Sequence, residues 1–114
     1  MTKFYHFNQN NSGGVFVRDE HVCHHVIIEA NDHVEANSKA VGIGIYFNGC
    51  ETGDDCGCCG DRWSSQWGGD GERSPHIYGK PIEETNDMFT PVGEVYARVY
   101  YRDGEVREYK RQSE

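Results

Sequence analysis

Short apolar and aromatic runs in the first half of the chain and a period-two alternation of apolar and polar positions near its C-terminus predict most of its regular structure. Residues 3–8 read as an aromatic-rich strand that is broken by Asn10-Asn11-Ser12-Gly13-Gly14. Residues 15–18 and 22–29 read as a pair of strands joined around Asp19-Glu20 in a hairpin. The period then changes. Asp32-x-x-Glu35 has the form of a capping box, and Ala36, Ala40 and Ile43 follow at i, i+4 and i+7, which predicts a helix over 32–42 with Gly42 and Gly44 weakening its end. Ile45-Tyr46-Phe47 is a short apolar run leading into a stretch, 48–74, whose glycines and polar residues predict mostly loop.

Near the C-terminus, residues 94–102 and 105–110 flank Asp103-Gly104, a dipeptide suited to the two positive-φ positions of a type I′ hairpin turn. A two-residue turn there pairs Arg102 with Glu105, Tyr101 with Val106 and Tyr100 with Arg107. Alternation then places Val95, Ala97, Val99, Tyr101 and Val106 on a core face. Tyr96, Arg98, Tyr100, Arg102, Arg107 and Tyr109 fall on the opposite face, a surface apt for stacking and for anions, or an ordinary solvated face with cation–π pairs. Together these elements predict one α+β domain. It has an antiparallel sheet of four to six strands, one helix packed on a face, and a long cysteine-rich loop between helix and C-terminal hairpin.

Composition narrows the chemistry. The 114 residues have a hydrophobic content of 36% and a mean hydropathy of -0.79, polar for a globular domain, so a staple would help the fold. Of 19 acidic and 11 basic side chains, residues 94–114 hold five of each, so the net charge of -8 arises upstream. Such acidity favours solubility and basic partners over direct nucleic-acid binding, although it also suits mimicry of nucleic acid. The chain starts without the apolar run of a signal peptide, and it nowhere supplies the ~18 consecutive apolar residues of a membrane span, so a cytosolic protein is expected.

Four of the five cysteines, Cys50, Cys56, Cys58 and Cys59, fall in one glycine-rich segment with no apolar periodicity to bury them. Cys56-x-x-Cys59-Gly60 has the spacing of a zinc knuckle. Cys50 supplies a third thiolate and Cys58 a fourth, though adjacent Cys58 and Cys59 tend to point apart; His24, His25, Cys23 or His76 would close the shell in its place. Free or redox-active thiols and a disulfide are the competing readings, and the odd cysteine count weakens the last. Cys58 or Cys59 beside His24, His25 or His76 would make a nucleophile, but a neighbouring cysteine readily captures such a thiol, so catalysis is not expected. Asp54, Asp55, Asp61, Asp70 and Glu72 lack the ordered ligand pattern of a calcium loop. Arg62, Trp63 and Trp67 follow the cysteines: the tryptophans either fold back over the metal site or anchor a partner, and Arg62 pairs most simply with Asp61.

Tyr46-Phe47-Asn48-Gly49-Cys50, then Asp55-Cys56-Gly57-Cys58-Cys59-Gly60-Asp61-Arg62-Trp63, then Ile77-Tyr78-Gly79, resembles a group of small uncharacterised proteins of tailed bacteriophages. The resemblance extends to Asn10-Asn11-Ser12-Gly13-Gly14 and to Val26-Ile27-Ile28-Glu29-Ala30, and so covers most of the chain; Cys-x-Cys-Cys-Gly-Asp-Arg-Trp is its specific part. It implies a short phage accessory protein in the cytoplasm of an infected bacterium and supplies no reaction. The resulting expectation is a non-enzymatic, zinc-stabilised protein that binds and inhibits a host or defence-system protein. The alternatives are a sponge for a small signalling nucleotide, which needs self-association to make a pocket of the tyrosine–arginine face, and an acidic nucleic-acid mimic.

Overall fold

A computed structural model describes residues 2–10, 17–53, 60–66, 71–87 and 90–112. Among them the elements in chain order are β1 (Lys3–Asn8), β2 (His25–Ala30), α1 (His33–Gly42), a single helical turn α2 (Gly49–Thr52), β3 (His76–Ile77), β4 (Lys80–Pro81), a 3-10 turn (Ile82–Glu84), β5 (Val95–Tyr100) and β6 (Val106–Lys110). Four strands form one sheet in the order β1-β2-β5-β6, and β3 and β4 form a second, two-stranded sheet.

The α+β class agrees with the sequence reading, but the sheet is mixed. β1 and β2 pair antiparallel, as do β5 and β6, whereas β2 and β5 run parallel, with His25 opposite Ala97 and Ile28 opposite Tyr100. A parallel pair cannot be closed by a hairpin, so the chain between them crosses over the sheet and carries α1 with it. β2 takes β1 as its partner in place of the segment at 15–18. Residues 15 and 16 of that expected hairpin lie outside the described residues, and 17–24 contain no strand.

α1 forms where the capping chemistry places it. Asp32 is the N-cap, its Oδ1 accepting the Glu35 amide at 2.8 Å, while the Glu35 carboxylate reaches back to the Asn31 amide at 3.0 Å. Ala36 and Ala40 are buried against Tyr5, Phe7, Val26, Ile28, Ala30, Ile45 and Trp63, with Ile43 packed at the edge of this cluster. Ile27, Ile77, Ile82, Tyr96, Ala97 and Val99 form a second cluster on the other side of the sheet, beneath β3, β4 and the 3-10 turn. β2 is thereby covered on both faces.

The connection in the C-terminal hairpin is one residue longer than a type I′ turn at Asp103-Gly104. The Tyr101 amide donates to the Glu105 carbonyl at 2.8 Å, and the Gly104 amide donates to the Tyr101 carbonyl at 3.0 Å. Residues 102–104 therefore make a three-residue connection, with Gly104 at φ +94 closing it in the left-handed region. The pairs become Tyr100 with Val106 and Val99 with Arg107, correcting the expected register. A bulge between Val95 and Ala97 also turns Tyr96 into the second cluster with Ala97. Because a Cβ at Gly104 meets no atom within 4 Å, Gly104→Val tests backbone strain alone. We expect a loss of roughly 1–2 kcal/mol in a thermal or denaturant melt.

Candidate metal centre

The buried face of β1 and β2 carries polar residues at one end. On β1, His6 and Asn8 follow Phe4 on the face of the second cluster; on β2, His25 precedes Ile27 on that face, and Asn8 pairs with His25 in register. His6 Nε2 lies 2.8 Å from His25 Nδ1, so one ring donates an N–H to the other, and the two rings stack with centroids 5.0 Å apart. His24, just before the strand, stacks on His25 with centroids 4.0 Å apart. Its Nδ1–H donates to Asp87 Oδ2 at 2.6 Å, and the same oxygen accepts the Thr90 hydroxyl at 2.6 Å.

His24, His25 and Asp87 are 6%, 3% and 5% exposed. One donor atom from each lies within 4.8 Å of the others, the one such grouping of three metal-ligating side chains found among the described residues. Two imidazoles and a carboxylate suit zinc and similar divalent ions. The short His24–Asp87 contact holds a proton where an ion would compete for the same lone pairs. The donor set therefore fits a metal that exchanges with a proton.

Tyr78 covers the histidines. It and Gly79 form the two-residue turn between β3 and β4, at φ +51 and +79, the positive values that a type I′ turn requires at both positions. Glycine takes this conformation freely, whereas a bulky side chain is strained there. The Tyr78 ring is nevertheless 70% exposed. Its edge meets His6 and His25 at centroid distances of 5.4 and 5.5 Å, and its hydroxyl accepts Asn8 Nδ2 at 3.0 Å. Contacts to the buried polar cluster hold the ring in this conformation.

Cys56, Cys58, Cys59 and Trp67 lie outside the described residues, as do Asp54, Asp55 and Asp70. The Cys50 amide donates to Asp61 Oδ1 at 3.0 Å, which places Asp61 on the α2 turn. Cys23 is buried with its thiol donating to the His25 carbonyl at 3.2 Å, and burial pushes its pKa up to about 12. His76 Nδ1–H donates to the Ser74 carbonyl at 2.8 Å, apart from the His24–His25–Asp87 group.

Trp63 and Arg62, expected to meet a partner, lie inside the fold. Trp63 is 1% exposed in the helix-side core, and Arg62, 8% exposed, donates to Tyr46 and Gln9. The tyrosine–arginine face is also divided. Tyr96 and Tyr109 pack in the second cluster, and Arg107 lies over Tyr101. Arg98 is buried and donates to Glu108, Asp19 and Val22, while Tyr100 packs against the helix-side cluster and Arg102 is exposed beyond the end of β5.

Residues 2–114 match a family profile described as a domain of unknown function, DUF7296. The chain belongs to the DUF7296 family. No curated protein and no solved structure matches it. In this DUF7296 protein the sequence singled out His24 and His25 but missed Asp87, His6 and Tyr78. Asp87 lies 63 residues from His24 with no metal-ligand spacing to announce it, whereas Phe4-His6-Asn8 follows the strand alternation and becomes visible once β1 is paired with β2.

Burial, followed by the neighbouring charge of His24, lowers the pKa of His25 from 6.5 to about 3 and that of His6 to about 4. A histidine whose folded pKa is depressed contributes full stability above its unfolded pKa and loses it as pH falls toward the folded value. The metal-free protein should therefore lose stability between pH 6.5 and about 4, by roughly 2 kcal/mol per histidine at pH 5. Denaturant melts at pH 7.5 and 5 measure this loss, and His6→Gln should reduce it.

Proposed function

We propose that this DUF7296 protein is a metal-stabilised binding protein whose ion, zinc in the first instance, is held by His24, His25 and Asp87. The buried grouping of two imidazoles and a carboxylate carries this reading, since burying these groups is costly unless they bind one another or an ion. When bound, the ion would tie β2 to the segment ahead of β5, adding its binding free energy to folding. The protein acts by binding rather than catalysis, consistent with the deep burial of the three side chains. The resemblance to phage accessory proteins and the net charge of -8 support a host or defence protein as the partner. Tyr78 is the anchor, because an exposed ring held by a rigid turn contacts a partner with little further loss of conformational entropy.

Elemental analysis and thermal melts test the metal. Protein purified without added metal should carry or take up about one zinc per chain, and free zinc a hundredfold above Kd should add roughly 2.7 kcal/mol of stability. A variant with Cys50, Cys56, Cys58 and Cys59 all changed to Ser should keep this uptake, whereas His25→Ala should lose it. Zinc retained by His25→Ala and lost from the cysteine variant would place the ion in the cysteine segment instead.

Tyr78→Asn tests the anchor. Relief of the left-handed strain offsets the lost ring contacts, so stability should change by less than about 1 kcal/mol in a thermal melt. Capture of the partner from a bacterial lysate should disappear. Undiminished capture by the folded variant would exclude Tyr78 as the anchor.

A further inference from the structure

On the helix side of the sheet, a cavity of about 340 Å³ opens between the end of α1 and the β5–β6 turn. Fully buried Ile28 and partly buried Ile43 and Tyr100 supply its apolar lining. The Tyr100 hydroxyl donates to the His21 carbonyl, which fixes the ring in place. Lys39 and Arg102 line the same cavity. Lys39 is oriented by the Glu29 carbonyl at 3.1 Å and by Glu35 at 3.5 Å, and Arg102 makes no ion pair among the described residues.

Glu29 is the one carboxylate in the lining. One of its oxygens accepts the Arg102 amide at 2.9 Å and the other the Thr2 hydroxyl. These bonds, the Arg102 amide foremost, hold its pKa below the usual carboxylate value. Both Glu29 oxygens are thus engaged by the protein, and Arg102, whose charge also helps to lower the Glu29 pKa, keeps its guanidinium outside ion-pair distance of the described carboxylates, where a ligand can meet it.

The geometry points to a binding site for a small aromatic monoanion, with its ring against Ile28, Ile43 and Tyr100 and its charged group toward Arg102. Ligand pockets span about 300–1,000 Å³, so this one suits one or two fused rings. It lies on the helix side of the sheet, away from the histidine cluster, and does not depend on the metal reading.

Titration of isotope-labelled protein with 2-naphthoate, and in parallel with neutral 2-naphthylmethanol, tests the inference by NMR. Naphthoate should shift the amide signals of Gly42 and Gly104 saturably at submillimolar concentration and bind about tenfold more tightly than the alcohol. A Cβ at Gly42 meets no atom within 4 Å, so Gly42→Phe should fold, fill the cavity and abolish both titrations. Arg102→Gln, at an exposed position, should keep the alcohol's affinity while removing the preference for the anion. No saturable shift at millimolar naphthoate, equal affinity for the two probes, or binding unchanged in folded Gly42→Phe would overturn the proposal.

Discussion

β2 lies between β1 and β5 with both faces covered, and this burial is the constraint on which the rest of the structure depends. A strand with no solvent face leaves its polar side chains only internal partners. Val26, Ile28 and Ala30 meet α1, and Ile27 meets the layer beneath β3 and β4, so the histidines at the start of the strand are drawn inside with them. His25 finds His6 across the β1 pairing, and His24 finds Asp87 from the segment ahead of β5. Gln9 meets the same demand nearby: its amide bridges the Val17 and Cys23 carbonyls and the Val17 amide, fastening the loop that delivers the histidines.

Local chemistry was legible where one short segment contained all of it. Asp32, Glu35, Ala36 and Ala40 carry the start and the buried side of α1, and the helix forms there. Asp103-Gly104 marked a hairpin with a left-handed glycine, and Gly104 has that conformation. The register was not legible, because two- and three-residue connections both place a glycine at such a position and differ only in which carbonyl closes the loop. A one-residue shift moves side chains between faces. Together with the bulge at Tyr96, it divided what read as a single tyrosine–arginine surface.

Long-range pairing was the larger omission. Alternation reports that a segment is a strand and says nothing of its neighbour, so the parallel β2–β5 contact and the short β3–β4 hairpin had no local signature. The candidate site inherits this blindness. Its two adjacent histidines stood out in the chain, while Asp87 and Tyr78 reach them only through the crossover and the small hairpin. Tyr78 also defies turn preference, since the position favours Asn, Asp or Gly, and that departure from local propensity coincides with contact to the buried cluster.

The identity of the atoms around a bound ion decides most directly between the histidine cluster and the cysteine segment. X-ray absorption at the zinc edge, on zinc-loaded wild-type protein, reads those atoms from their distances. The account predicts a first shell of nitrogen and oxygen alone at about 2.0–2.2 Å; a sulfur shell at about 2.3 Å would contradict it.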